Sequence, residues 1–219
     1  MDYANTYKTA YVIVYASDMQ LMIDSDAAYL VLPKARSRIA GYFRLANIPT
    51  SPFKYKDNGA ILIECHTLRD LVTSAAEAEI GALYMNARQL LLLRVTCEEL
   101  GHPQPATPMQ TDNNTASGII NGTFNQARSK TIDMRYYWLM DRTQQKQFRI
   151  YWGRGIKNLA DYFSKDHSGA HQKQVRPIFL HTKESPDSLQ GCIKMLALRA
   201  PKLREMIRLA GVHKQAAAA

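Results

Sequence analysis

Two carboxylates stand two residues apart inside an apolar run, Leu21-Met-Ile-Asp-Ser-Asp-Ala-Ala-Tyr-Leu30. In a strand, residues i and i+2 share a face, so Asp24 and Asp26 are expected side by side. Like charges on one face of an apolar strand are costly unless a cation or a water-filled cleft relieves them. The alternative is an edge strand whose polar face is wet. Three more acids stand at informative places: Glu79 in the first turns of a long helical run, Asp112 at the end of a short strand, and Asp161 beside Tyr162 and Phe163. Singly, each has an ordinary reading, Asp112-Asn-Asn as a helix cap and Glu79 as a first-turn acid. Together they matter more, because strand ends and adjoining helical turns converge on one edge of an α/β sheet, where sites form.

The elements that must position these acids follow from periodicity and turn residues. Residues 20–30 are the first strand, Ser37 to Ala46 the second and Ala60 to His66 the third, with Asp57-Asn-Gly59 as hairpin turn chemistry. Short connections make these an antiparallel meander. Tyr11 to Tyr15 reads as a small additional strand. The period then changes: Thr73 or Ser74 caps a helix that runs to Leu100 and is stopped by Gly101-His-Pro103. Pro108 to Asp112 is a fourth strand and Asn113 to Asn121 a short helix. Lys130 to Gln145 is a further helix, whose aromatics Tyr136, Tyr137 and Trp138 suit core packing better than base stacking. Gln147 to Trp152 is a fifth strand, and Asn158 to Lys165 a short helix carrying Asp161. The fold class is therefore α/β: a mixed five-stranded sheet, meander plus two parallel strands, flanked by helices.

A chain of 219 residues can bury a real core and carry an appendage. We expect a lead-in over residues 1–19, a domain over 20–166, and a basic tail over 167–219 that contains an amphipathic helix from Ser188 to Val212. The net charge of +9 is unevenly placed, since residues 1–126 sum to −2 and residues 127–219 to +11. A basic second half points to a polyanionic partner, of which nucleic acid is the commonest. No apolar run approaches the length of a membrane span, and the start has no basic-then-apolar leader. Three scattered cysteines fit neither a zinc pattern nor a disulfide framework. They suggest a reducing, intracellular compartment, cytoplasm or nucleus.

Four short stretches resemble a known family: Ser25-Asp-Ala-Ala-Tyr29, Ser74-Ala-Ala-Glu-Ala-Glu-Ile-Gly-Ala-Leu83, Thr111-Asp-Asn-Asn-Thr-Ala116 and Asn158-Leu-Ala-Asp-Tyr-Phe-Ser-Lys165. They are similar to the ribonuclease H domain of copia-type LTR retrotransposon polyproteins, which follows the reverse transcriptase. Arg128-Ser-Lys-Thr-Ile-Asp-Met-Arg-Tyr-Tyr137 resembles that family's intervening helix, and Ala16-Ser-Asp-Met19 its linker. The resemblance covers roughly residues 10–180 in the family's order. It implies a ribonuclease H-like fold and a metal-dependent endonuclease that cuts the RNA strand of an RNA–DNA hybrid. Asp26, Glu79, Asp112 and Asp161 match the family's four acidic residues, which hold two ions, Mg²⁺ or Mn²⁺. Asp24 stands where related sequences often have His. The loop Gly153-Arg-Gly-Ile-Lys157 lacks the His that many ribonucleases H place before the last acid. The tail histidines His167, His171 and His181 are not at ligand spacing.

Substrate grip is expected from the basic half: Arg128, Lys130 and Arg135 on one helix, and Arg149, Arg154 and Lys157 around the fifth strand. Asn113 and Asn114 are candidates for contact with a 2′-hydroxyl, the group that separates RNA from DNA. Two other readings stand beside the nuclease. One is a catalytically silent nucleic-acid-binding remnant of the same fold. The other is an interaction module whose C-terminal helix docks on a reverse-transcriptase domain or another chain.

Overall fold

The computed structural model describes residues 7–48, 58–123 and 130–181. Five strands form a single sheet: β1 (Gln20–Leu32), β2 (Arg36–Ala46), β3 (Ala60–Leu68), β4 (Thr107–Thr111) and β5 (Phe148–Trp152), in the order β3-β2-β1-β4-β5. The pairs β1/β2 and β2/β3 are antiparallel, while β1/β4 and β4/β5 are parallel. This meander with two parallel strands added on its other side is the ribonuclease H-like architecture expected above. The first strand is thus the middle of the sheet, so the wet-edge reading of its carboxylates does not hold.

Alternation along β1 divides the sheet's faces. Leu21 and Ile23 join Phe43 and Met109 in a core that also takes Ile80, Leu83 and Leu90 from α1 (Ala75–Glu99) and Ile120 from α2 (Asn114–Ile120). Leu139 of α3 (Lys130–Gln144) completes it, with Trp138 packed against it and set edge-on to Tyr84. The other face carries Met22, packed with Ala46 and Tyr151, and then Asp24 and Asp26. The i, i+2 expectation for the two acids therefore holds.

α1 begins where its sequence signals say. The Ser74 hydroxyl accepts from the Glu77 N–H at 3.2 Å, satisfying one orphan donor of the helix start, and the Glu77 carboxylate accepts from the N–H of Thr73, just before the cap, at 2.6 Å. It ends at Gly101, whose φ of +86° is the left-handed conformation a helix terminus asks of glycine. Asn86 ties the helix to the sheet, donating at 2.9 Å to both the Ser25 hydroxyl and the Ala40 carbonyl. That approach requires Gly41, where a Cβ would fall 2.3 Å from Asn86 Oδ1.

Three expectations are corrected. Tyr11 to Tyr15 is no strand: Tyr11 makes an isolated bridge to His181, since Val12 and Val14 find no ladder to join. The segment Asn158 to Lys165 is helical only at α4 (Asp161–Ser164), because Asn158 folds its side chain onto the Ala160 N–H instead of entering a helical turn. A 3₁₀ turn at Gly155–Lys157 precedes it. The polar stretch after Asp166 forms a helix not expected from sequence, α5 (Gly169–Phe179). The expected Ser188–Val212 helix, Arg128, and Asp57 of the expected hairpin turn lie outside the described residues.

The chain divides into two compact units, Val14–Gly169, and Met1–Ile13 with Ala170–Ala219. Within the second, Tyr11 stacks on His181 and the Arg176 guanidinium lies over the Tyr7 ring. Among the described residues no helix is long and apolar enough to cross a membrane.

Candidate metal centre

Three elements bring acids together on the face opposite α1. Asp26 comes from the middle of β1, Asp112 follows the last residue of β4, and Asp161 opens α4. One oxygen from each lies within 4.8 Å of the others. Parallel pairing of β1 with β4 makes the first meeting, and the turn after β5 delivers the third acid. Asp26 has no exposed surface, and its Oδ1 has no hydrogen-bond partner. Its Oδ2 accepts from the Ser164 hydroxyl. Burial raises the Asp26 pKa from 3.8 to about 6; Asp112 and Asp161 push the same way, against the Ser164 bond and the Lys165 charge.

Glu79 stands alongside and is more tightly engaged. Its carboxylate accepts from the Ala27 N–H at 3.0 Å and the Thr111 hydroxyl at 2.9 Å. Burial first, then the charges of Asp26 and Asp112, raises its pKa well above the usual carboxylate range. These bonds place it at the junction of β1 and β4, next to Asp26 but outside the 4.8 Å triad.

Asp24 is not part of this cluster. Its Oδ2 takes the Arg44 guanidinium at 2.7 Å, both groups being buried, and also the Leu159 N–H at 3.2 Å. Arg44 faces Met22 in the register and reaches diagonally to Asp24, the geometry of a cross-strand pair. The neighbouring Asn158 side chain donates to the Ser25 carbonyl at 2.8 Å. Asp24, Arg44 and Asn158 thus fasten the segment from which Asp161 springs.

Sequence reasoning missed three groups here. Lys165 hydrogen-bonds Asp161, and its Nζ lies 3.5 Å from Asp26 Oδ2. Burial works against its ammonium, but the Asp161 hydrogen bond and the nearby acids outweigh that and raise its pKa. His167, set aside above with the tail, stacks on Tyr162 and brings Nε2 to 3.2 Å from the Asp161 carbonyl. Gly155 leaves room for an acid: a Cβ there would meet Asp112 Oδ2 at 2.8 Å. Of these, only the Asp161–Lys165 pair left a trace in the sequence, a spacing of four residues that any exposed helical ion pair shares.

The expected grip residues fall in different settings. Arg154 and Lys157 are exposed on the turn beside Asp112, together with Trp152 and a 93 % exposed Ile156. Asn113 caps α2, its Oδ1 accepting from Ala116 N–H at 3.0 Å, while Asn114 is exposed. Arg135 pairs with Asp70 at 2.7 Å and covers the Tyr84 ring. The side chain of Lys130 lies outside the described residues.

No family model matches the chain. Over 107 residues, 49 % of its length, it is 25 % identical to a retrovirus-related Pol polyprotein from transposon TNT 1-94 of Nicotiana tabacum. The match spans 8 % of that polyprotein. Among solved structures, it is similar to the N-terminal RNase H domain of a Mycobacterium tuberculosis protein (TM-score 0.45, 12 % identity, 72 % of this chain and 99 % of that one). It is also similar to LC11-RNase H1 in complex with an RNA/DNA hybrid (TM-score 0.45, 13 % identity, 65 % and 92 %). A third is the RNase H domain of prototype foamy virus (TM-score 0.41, 15 % identity, 66 % and 88 %).

Proposed function

We propose that this chain is a metal-dependent ribonuclease H of copia-type retrotransposon origin, hydrolysing the RNA strand of RNA–DNA hybrids. The observation that carries the reading is the convergence of Asp26, Asp112 and Asp161, with one buried Asp26 oxygen lacking any partner. Three clustered carboxylates and an orphaned buried oxygen suit a hard divalent cation, which takes oxygen ligands. Asp26, Asp112 and Asp161 would hold Mg²⁺ or Mn²⁺, with Glu79 available to a second ion. When bound, such ions polarise a phosphoryl oxygen and lower the pKa of water.

The chain's own residues supply the rest. The Ser164 hydroxyl and Ala27 N–H fix the orientations of Asp26 and Glu79. The exposed cations Arg154 and Lys157 stand on the Asp112 side, where a phosphate backbone would be attracted. Trp152 beside them offers an aromatic surface to a sugar or base. The relative in Nicotiana tabacum supports a retroelement origin. In such a setting, a reverse-transcriptase domain or a second chain is a natural partner for the C-terminal segment.

The test is incubation of the purified chain with a strand-labelled RNA–DNA hybrid in Mg²⁺ or Mn²⁺, with Asp112→Asn alongside. The expected result is metal-dependent cutting of the RNA strand only, absent from the variant. Retention of hybrid at low salt without cutting would favour the silent remnant. Neither cutting nor binding would remove the nucleic-acid reading.

A further inference from the structure

Resting on the nuclease reading, we propose that Lys165 is a tethered cation that shares the place of the divalent ion. Metal binding at Asp26, Asp112 and Asp161 is then an exchange with its ammonium group. Lys165 ends α4 four residues after Asp161, so its stem lies along the helix and returns Nζ to the carboxylate that opens it. The same Nζ lies 3.5 Å from Asp26 Oδ2, so one ammonium serves acids from two elements.

Its fit is partial. A 3.5 Å separation is longer than a hydrogen bond, and Asp26 Oδ1 remains without a partner. The ammonium offsets charge across the cluster without satisfying its oxygens, whereas a divalent ion would take an oxygen from each acid. Lys165 is also free to leave. Its side chain is 38 % exposed, its backbone is extended, and a four-carbon stem lets the ammonium move to solvent.

Two consequences follow. Without metal, Lys165 relieves the mutual repulsion of acids that are otherwise crowded and largely buried. With metal, it is a competitor, and removing it should tighten divalent binding by about ten-fold, a modest value because its exposure screens the repulsion. The residue thereby sets how much divalent ion is needed to load the centre.

The experiment is calorimetric titration of Mn²⁺ into the full chain at neutral pH and constant ionic strength, for wild type, Lys165→Met, Lys165→Gln and Lys165→Arg. Each protein is also melted with and without Mn²⁺. We expect Lys165→Met and Lys165→Gln to bind about ten-fold more tightly, to melt lower without metal and to gain more from Mn²⁺ than wild type. Lys165→Arg keeps the charge and should stay close to wild type. Should Lys165→Met fail to fold, Lys165→Gln carries the same comparison, and a lower metal-free melting temperature with no gain on adding Mn²⁺ overturns the exchange. Equal or weaker Mn²⁺ binding in the neutral variants, with wild type binding normally, also overturns it and leaves the nuclease reading standing. Absence of Mn²⁺ binding in every protein removes both.

Discussion

Asp24 and Asp26 lie two residues apart on one face of the central strand, both without exposed surface, and are held in opposite ways. Asp24 meets a buried guanidinium and a backbone N–H, so its charge is matched from two sides. Asp26 meets two other acids, keeps one oxygen unpartnered, and has only the partial relief of Ser164 and Lys165. Burial is the same for both, so burial cannot tell a fully paired carboxylate from one with an unpartnered oxygen. What separates them is the identity of the neighbours and whether they leave a lone pair unused.

The largest expected effect breaks the Asp24 side. Asp24→Ala leaves Arg44 buried without its counter-charge and should cost about 3–5 kcal/mol in urea unfolding. Replacing both partners by apolar residues, Asp24→Leu with Arg44→Met, should recover most of that loss. Failure to recover would show that the Leu159 bond, and not the ion pair, is what holds the segment.

Asp26→Asn should act with the opposite sign on stability. The Asp26 pKa is raised from 3.8 to about 6, so the native state holds its proton where the unfolded chain has released it. The corresponding stability is fully present below pH 3.8 and lost as pH rises through about 6. A rise of that size corresponds to ~3 kcal/mol. In metal-free buffer, unfolding free energies from pH 4 to 8 should fall by about this much more in wild type than in Asp26→Asn, in which Glu79, also held above the usual range by burial, still contributes its own loss. At neutral pH the variant should therefore be the more stable protein while losing Mn²⁺ affinity, a trade common where a site stores unfavourable charge. Parallel pH profiles for the two proteins would place Asp26 in the same class as Asp24.

A smaller effect sharpens the comparison at the neighbouring acid. Gly155→Ala puts a methyl carbon 2.8 Å from Asp112 Oδ2, closer than contact allows, and the carboxylate must turn away. Because the obstructed group is the end of a flexible side chain, stability should change by no more than about 0.5 kcal/mol. Mn²⁺ affinity in calorimetry should fall several-fold. A loss of stability without loss of affinity would mean that the turn itself moves instead.

Much of this was legible from sequence where the signals are local. The alternation of β1 placed both carboxylates on one face, and the Thr73-Ser74 start and Gly101 stop bounded α1. Asp26 and Asp112 fell on a strand and a strand end, and Asp161 on the short helix after the last strand, positions that the topology brings together. What stayed hidden depends on register and distant contacts. The Arg44 partner of Asp24 follows from a diagonal between two strands, and no spacing along the chain announces it. Lys165 and Asp161 are four residues apart, a spacing that looks the same on an ordinary wet helix. In α5, Gly169 at the start and Pro177 inside disguised a helix as polar linker.

The fastening of the segment that carries Asp161 also bears on when a centre can exist during folding. Asp24 to Leu159 spans 135 residues, Ser25 to Asn158 spans 133 and Asp26 to Ser164 spans 138. Contacts of such separation carry a high loop-closure entropy and form after local ones. The meander and α1 can assemble from the first hundred residues, while the third acid and its lysine emerge much later from the ribosome. A nascent chain would thus hold Asp26 within an assembled meander yet lack the complete acidic triad until the single turn of α4 has been made.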